Sequence, residues 1–225
     1  MRPDDPAGDA AITGWFRYYL KWLTTHPYGV DESKAANNHC TCWTLQAACF
    51  ARLVGDRAVL AECRRRLIEE HLPRQMAADG SFPQELRRTK PYGYSIFNLD
   101  VMAALAQVLS TPTDNLVAFA LRDGRGLVKG VAFLAPFIAD KQAWLKTVAK
   151  PAPEKAKAAT PTGELMKPDV MYWDDWPVRQ PSLLFGAFAA GRTEWLDLWK
   201  KLNPDPTVEE IVRNFPVRQP VLWVR

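Results

Sequence analysis

The sequence lacks any uninterrupted apolar run long enough to cross a membrane. Its opening residues, MRPDDPAGDAA, hold no apolar segment of the kind that leads a secreted chain. Neither a membrane partner nor a cleavable leader is therefore expected. Convincing strand alternation is also missing, which argues against sheet-based folds. Cysteine is scarce: the four residues sit at 40, 42, 49 and 63, too clustered for a disulfide framework, and they are expected to be reduced. Charge of one sign is barely in excess, at +4 net. That balance permits a polyanionic partner without requiring one, and no nucleic-acid partner is expected. The basic run CRRRL (Cys63 to Leu67) is followed by two glutamates and reads as a solvated helix face.

What is present is an ordinary globular composition, 48% hydrophobic and 24% charged, in 225 residues, enough for one domain with a sizeable core. Nine tryptophans and six tyrosines are many for this length, and such rings serve either core packing or a ring-stacking groove. The pattern is helical nearly throughout. A first helix is expected from Pro6 to about Thr25, where HPYG stops it. From Asn38, Leu45, Ala48, Cys49 and Leu53 recur on one helix face, and Gly55-Asp56 reads as a stop followed by a new cap. The next helix should end at about Leu72, before Pro73, and an irregular stretch should follow from Arg74 to about Gly93. Helical spacing returns at Val101, Leu105, Val108 and Leu109, and again over Gly126 to Asp140 with a bend at Pro136. An Ala-, Lys- and Pro-rich stretch at about 146–169 reads as a mobile insertion in the single domain 1–225. Shorter helices are expected near Pro181–Ala190 and Thr193–Lys201, and near Pro206 with Asp205 as its cap. WPVRQPSLLF (176–185) echoes FPVRQPVLWV (215–224), two turns of similar shape that each present an arginine. Helices of this length joined by loops predict an all-α fold of stacked helical hairpins.

The residues suited to chemistry lie in two segments. The first, KAANNHCTCW, holds Asn37, Asn38 and His39 where a helix begins; helix capping is the bland role for such asparagines. The second, DGSFPQELRRTKPYGYSIFNLD, gathers Glu85, Arg87, Arg88, Tyr92 and Tyr94 within ten positions, in a Gly- and Pro-rich loop. Amide, imidazole, guanidinium and phenol together suit a uronic acid. Its C5 proton is not acidic while the neighbouring carboxylate is charged, and donors on that carboxylate stabilise the enolate-like state. A base then removes the proton and an acid protonates the departing O4. Tyrosine can serve as acid, base or both, since a nearby arginine favours its phenolate. Neither metal nor organic cofactor is needed.

Two other chemistries are open to the first segment. His39, Cys40 and Cys42 are soft ligands, but H-C-x-C departs from the usual zinc spacings, and on a helix Cys40 and Cys42 point about 200° apart. A catalytic thiol at Cys40 needs a base facing it, and adjacent helical residues such as His39 do not face each other.

The first segment resembles the N-N-H-G-T-W-x-x-x-Q pattern of alginate-lyase-like proteins, and the second resembles their D-G-S-x-P-x-E-L-x-R-T-x-S-x-x-Y-S-x-F-N-L pattern. The likeness runs from about Trp15 to Leu109, and PDVMYWDDWPVRQPSLLFGAF is similar as well. The resemblance implies an α/α toroid, here an incomplete barrel of helical hairpins, and a polysaccharide lyase of the mannuronate and glucuronan group, nearest family thirty-eight. It implies that Asn38 and Arg88 neutralise the carboxylate, that His39 acts as base or helps to neutralise, and that Tyr94 acts as acid, or as acid and base. It also implies substrate contacts from Asn37, Trp43, Gln46, Glu85, Tyr92 and Arg179, an acidic polysaccharide as partner, no metal and no cofactor. Members are generally exported. Cys40 stands where the pattern has glycine, and Cys42 stands where it has tryptophan. Members also carry a long portion ahead of the motif, so this chain is expected to be a fragment, a short variant or part of an assembly. A non-catalytic polyuronate-binding remnant and a helical interaction scaffold are the alternative readings.

Overall fold

The structure, a computed structural model, describes residues 6–147 and 176–224. Helix α1 (Pro6–Thr25) begins at a proline, whose fixed φ suits a first turn. The HPYG sequence stops α1 after Thr25, as its pattern suggests, and also starts α2 (Pro27–Glu32): the His26 ring accepts from the Tyr28 N–H and caps it, with Pro27 next. Helix α3 (Asn38–Val54) is capped by Asn37 and closed by Gly55 in the left-handed conformation, and Asp56 caps α4 (Arg57–Arg66).

Beyond α4 the chain does not end its helix at Leu72. It widens into a π-helical turn, Leu67–His71, and continues as α5 (Leu72–Gln75). Pro73 is the physical reason. It has no N–H to give to Glu69, and its ring crowds that carbonyl, so the turn loosens and Leu72 N–H reaches back to Leu67 O instead. Helix α6 (Pro91–Leu109) starts earlier than its apolar spacing suggests, again with a proline in its first turn. It is followed by α7 (Leu127–Ala139), with Pro136 inside it, and by α8 (Lys141–Thr147), which the sequence reading did not anticipate. The insertion expected at 146–169 lies, from residue 148 on, outside the described residues. Helices α9 (Pro181–Ala190) and α10 (Thr193–Lys201) fall where their sequence patterns put them. The last short helix, α11 (Glu209–Arg213), begins at Glu209 rather than at Pro206.

Among the described residues there is no strand, only isolated bridges, and no helix is long and apolar enough to cross a membrane. The helices pair as α3 with α4, α6 with α7 and α9 with α10, while α3, α6 and α9 stand side by side in a row. Helix α1 packs on the outer flank of α3. The arrangement is an all-α arc of helical hairpins. Helix α6 is its centre: apolar on nearly every face and buried along most of its length, with Tyr94, Phe97 and Gln107 only half-buried, as a helix largely enclosed by others must be. Ile96, Leu99, Met102 and Leu105 are sealed from solvent, each contributing about 1.5–3 kcal/mol by burial. The helix starts that carry Asn38 and Tyr94 lie on neighbouring members of this row, which brings the two motif segments together.

Candidate active site

The loop between α5 and α6 is held by short-range bonds. Ser81 N–H donates to Asp79 Oδ1 at 2.9 Å, Ala77 N–H to Ser81 O at 2.9 Å, and Glu85 and Leu86 N–H both to Phe82 O at 3.0 Å. Phe82 is fully buried and anchors the loop in the core. Gly80 has φ +95°, and a Cβ there would lie 2.5 Å from Lys129 O, so only glycine fits. The loop thereby delivers Glu85 to the start of α3.

Glu85 is the hub of the site. It is wholly buried, and its carboxylate takes the Asn38 backbone N–H at 2.7 Å and the Asn38 side-chain amide at 2.8 Å. Two donors from one residue fix Asn38 and satisfy an orphan N–H at the helix start. Arg88 Nη1 lies 3.7 Å from Glu85 Oε2, and the Arg88 guanidinium sits 3.9 Å over the Tyr94 ring. Burial pushes the Glu85 carboxyl up, while the Asn38 bonds, the Arg88 charge and His39 pull it back. Arg88 Nη1 is buried with no hydrogen-bond acceptor. Its nearest charge is the Glu85 carboxylate, and its guanidinium is held against the face of the Tyr94 ring.

His39 follows on the exposed side of α3. Its Nδ1 is 2.6 Å from Glu32 Oε1 at the end of α2, both side chains being about half exposed. An ionised carboxylate only accepts, so Nδ1 carries the hydrogen, and in the neutral imidazole Nε2 is then the nitrogen that can accept. Sequence reasoning did not single out Glu32. Its only signal is a carboxylate seven positions before His39, and α2 had to be recognised as a helix for that spacing to mean anything.

The structure thus links Asn38, Glu85, Arg88 and Tyr94 through direct contacts and sets His39 next to Asn38. Other expected substrate contacts fall elsewhere. Glu85 is spent on holding Asn38. Asn37 caps α3, accepting from His39 N–H at 3.3 Å. Trp43 is buried, donates to Leu23 O at 3.2 Å and carries Arg66 over its ring, so it packs α1 on α3. Gln46 is exposed two turns along α3, about 12 Å of helix rise beyond Asn38. Tyr92 is sealed in the core, its hydroxyl donating to Phe137 O at 3.1 Å and its ring set edge-on to Trp144. Arg179 donates to Leu202 O and Lys200 O and lies over Trp199, closing the end of α10. Among the described residues no three His, Cys, Asp or Glu side chains converge as metal ligands. Burial pushes the thiols up, to about 12 for Cys42 and Cys63 and about 11 for Cys49.

A protein-family model described as alginate lyase matches residues 2–144, more than half of the chain, and spans every residue of the linked set. The solved structure of an alginate lyase from Bacteroides ovatus is similar in fold. Its TM-score is 0.71 at 22% sequence identity, over 95% of this chain and 51% of that one. The chain therefore spans about half the length of that protein. No curated protein matches it.

Proposed function

The chain belongs to the alginate lyase family, and from that premise we propose that it is a polysaccharide lyase cleaving a β-1,4-linked polyuronate, alginate or glucuronan, by β-elimination. The observation that supports the reading is the contact chain Asn38–Glu85–Arg88–Tyr94, which links an amide, a guanidinium and a phenol.

In this mechanism the carboxylate of the sugar is received by Arg88 and Asn38. An amide nitrogen has two hydrogens, so Asn38 can hold Glu85 with one and the substrate with the other. Charge that flows from the breaking C5–H bond into the carboxylate meets fixed donors, the largest single source of rate in reactions of this type. His39 Nε2, with Nδ1 held by Glu32, takes the C5 proton. Electrons move into a C4–C5 double bond, the C4–O4 bond breaks, and the Tyr94 hydroxyl supplies the proton to O4. Every proton is accounted for by side chains, and Arg88 under the Tyr94 ring aims the phenol.

The test is direct. The protein is incubated with alginate and with glucuronan, and the ultraviolet absorbance of the new double bond, conjugated to the carboxylate, is followed. A steady rise with either polymer supports the reading. Binding to both without any rise in absorbance rejects it in favour of a non-catalytic polyuronate-binding protein.

A further inference from the structure

Beside the candidate site lies a cleft of about 370 Å³, within the range of pockets that hold small ligands. The loop after α2, the start of α3 and the π-helical turn wall it. It adjoins the site without being part of it: Ala36 on its rim precedes Asn37, and Gln84 precedes Glu85.

Its floor is a closed polar network. Thr44 Oγ1 donates to Cys40 O at 2.8 Å, so it can only accept from His71 Nε2 at 2.9 Å. His71 therefore carries its hydrogen on Nε2, and bare Nδ1 faces Cys40 Sγ at 3.6 Å. Gln75 Nε2 reaches the same sulfur at 3.2 Å, and Asn98 holds the Gln75 oxygen at 2.9 Å. Burial, ahead of the Arg66 charge, lowers His71 to about 4, and burial raises the Cys40 thiol. The floor is neutral at ordinary pH. The walls are not: Lys34, Arg66 and Arg74 line the cleft with one acid, Glu70, while Lys34 also reaches the exposed Asp31 at 3.4 Å. Arg66 lies over Trp43 and donates to Ser33 O, yet its Nε is buried without a hydrogen-bond acceptor.

We propose that this cleft binds the carboxylate of a further uronate residue of the polymer, with Arg66, Arg74 and Lys34 as its cations. The ligand rests on the lyase reading above. A neutral floor under three cations attracts an anion, and adjacency to Asn37 and Glu85 makes a neighbouring sugar of the same chain the natural occupant. Arg66 is structurally tied, whereas Lys34 and Arg74 are exposed and replaceable.

The test is calorimetric and uses oligouronates of increasing length in the Tyr94→Phe background, so that the chains are not consumed. Adding Lys34→Ala and Arg74→Ala should raise the dissociation constant of long oligomers roughly tenfold, the size expected for lost charge-assisted contacts. The affinity advantage of long oligomers over short ones should collapse. The pair Lys200→Ala and Lys201→Ala, on the distant α10, controls for the loss of two charges. Equal weakening by both pairs, or none by Lys34→Ala and Arg74→Ala, overturns the proposal. Product absorbance decides the lyase reading separately, so the two ideas fail by different measurements.

Discussion

Tyr94 and Tyr92 stand two positions apart and have opposite fates. The Tyr94 ring is half-buried against Arg88, while the Tyr92 ring is sealed in the core against Trp144. Tyr94→Phe removes one hydroxyl and keeps the ring, so substrate affinity should survive. Turnover should fall by roughly 10²–10⁴-fold, as for a lost general acid. Tyr92→Phe forfeits the bond to Phe137 O and should cost about 1 kcal/mol in urea unfolding, with only a modest change in turnover. Equal loss of turnover in the two variants would remove Tyr94 from the chemistry. The Glu32–His39 pair makes a different prediction. Both side chains are half exposed, so the pair adds little to stability. Its effect is on which imidazole nitrogen holds the hydrogen. Glu32→Ala should shift His39 toward the Nε2–H tautomer, visible in nitrogen-15 spectra, and lower turnover about tenfold, at the weak end for a mis-set base. An unchanged tautomer would show that Glu32 does not orient the ring.

Element ends, more than element interiors, arrange this molecule. Asn37, Asp56 and His26 cap helices with their side chains, and Glu85 caps α3 from a loop 47 positions away. Asp100 does the same for α9 from the middle of α6. It accepts from Ser182 N–H at 3.1 Å and Ser182 Oγ–H at 2.5 Å, and the Gln180 amide, turned nitrogen-first, faces its other oxygen. Complete burial pushes this carboxyl up from 3.8 to about 7, with the Ser182 bonds opposing. A raised folded value means that the native state holds the proton more tightly than the unfolded chain. The stabilisation is therefore full below about 3.8 and is lost as pH rises toward about 7. Asp100→Asn cannot titrate, so the stability of wild type relative to this variant should decline between those pH values. A difference that stays flat across the window would show that Asp100 does not titrate there.

At the scale of the whole molecule, the hairpins α3–α4, α6–α7 and α9–α10 place one helix start after another along a row, and the candidate site forms where two of those starts meet. The net charge of +4 adds a diffuse attraction for a polyanion. Since that attraction acts over distances comparable to the Debye length, about 8 Å at physiological salt, raising salt should increase KM for the polymer and leave kcat nearly unchanged. A fall in kcat of the same size would place the salt-sensitive charge in the chemical step.

Local rules in the sequence determined the all-helical class, the cap at Asn37, the break at Gly55-Asp56 and the bounds of α9 and α10. Each follows from side-chain periodicity or from a residue that satisfies its own backbone neighbours. The two motif segments were legible as chemistry concentrated at helix boundaries, but only the resemblance to the alginate-lyase pattern chose Arg88 over Arg87 and Tyr94 over Tyr92. Which of their neighbours reach solvent was not legible. Trp43, Tyr92 and Arg179 are amphipathic, able to stack on a sugar or to fill a core, and only the packing of α1, α8 and α10 against them decided for the core or for a helix end. Glu32 and Glu85 were undecidable for a related reason: a carboxylate's partner lies across a turn or across the chain, at a distance that only the tertiary fold brings to 2.6–2.8 Å.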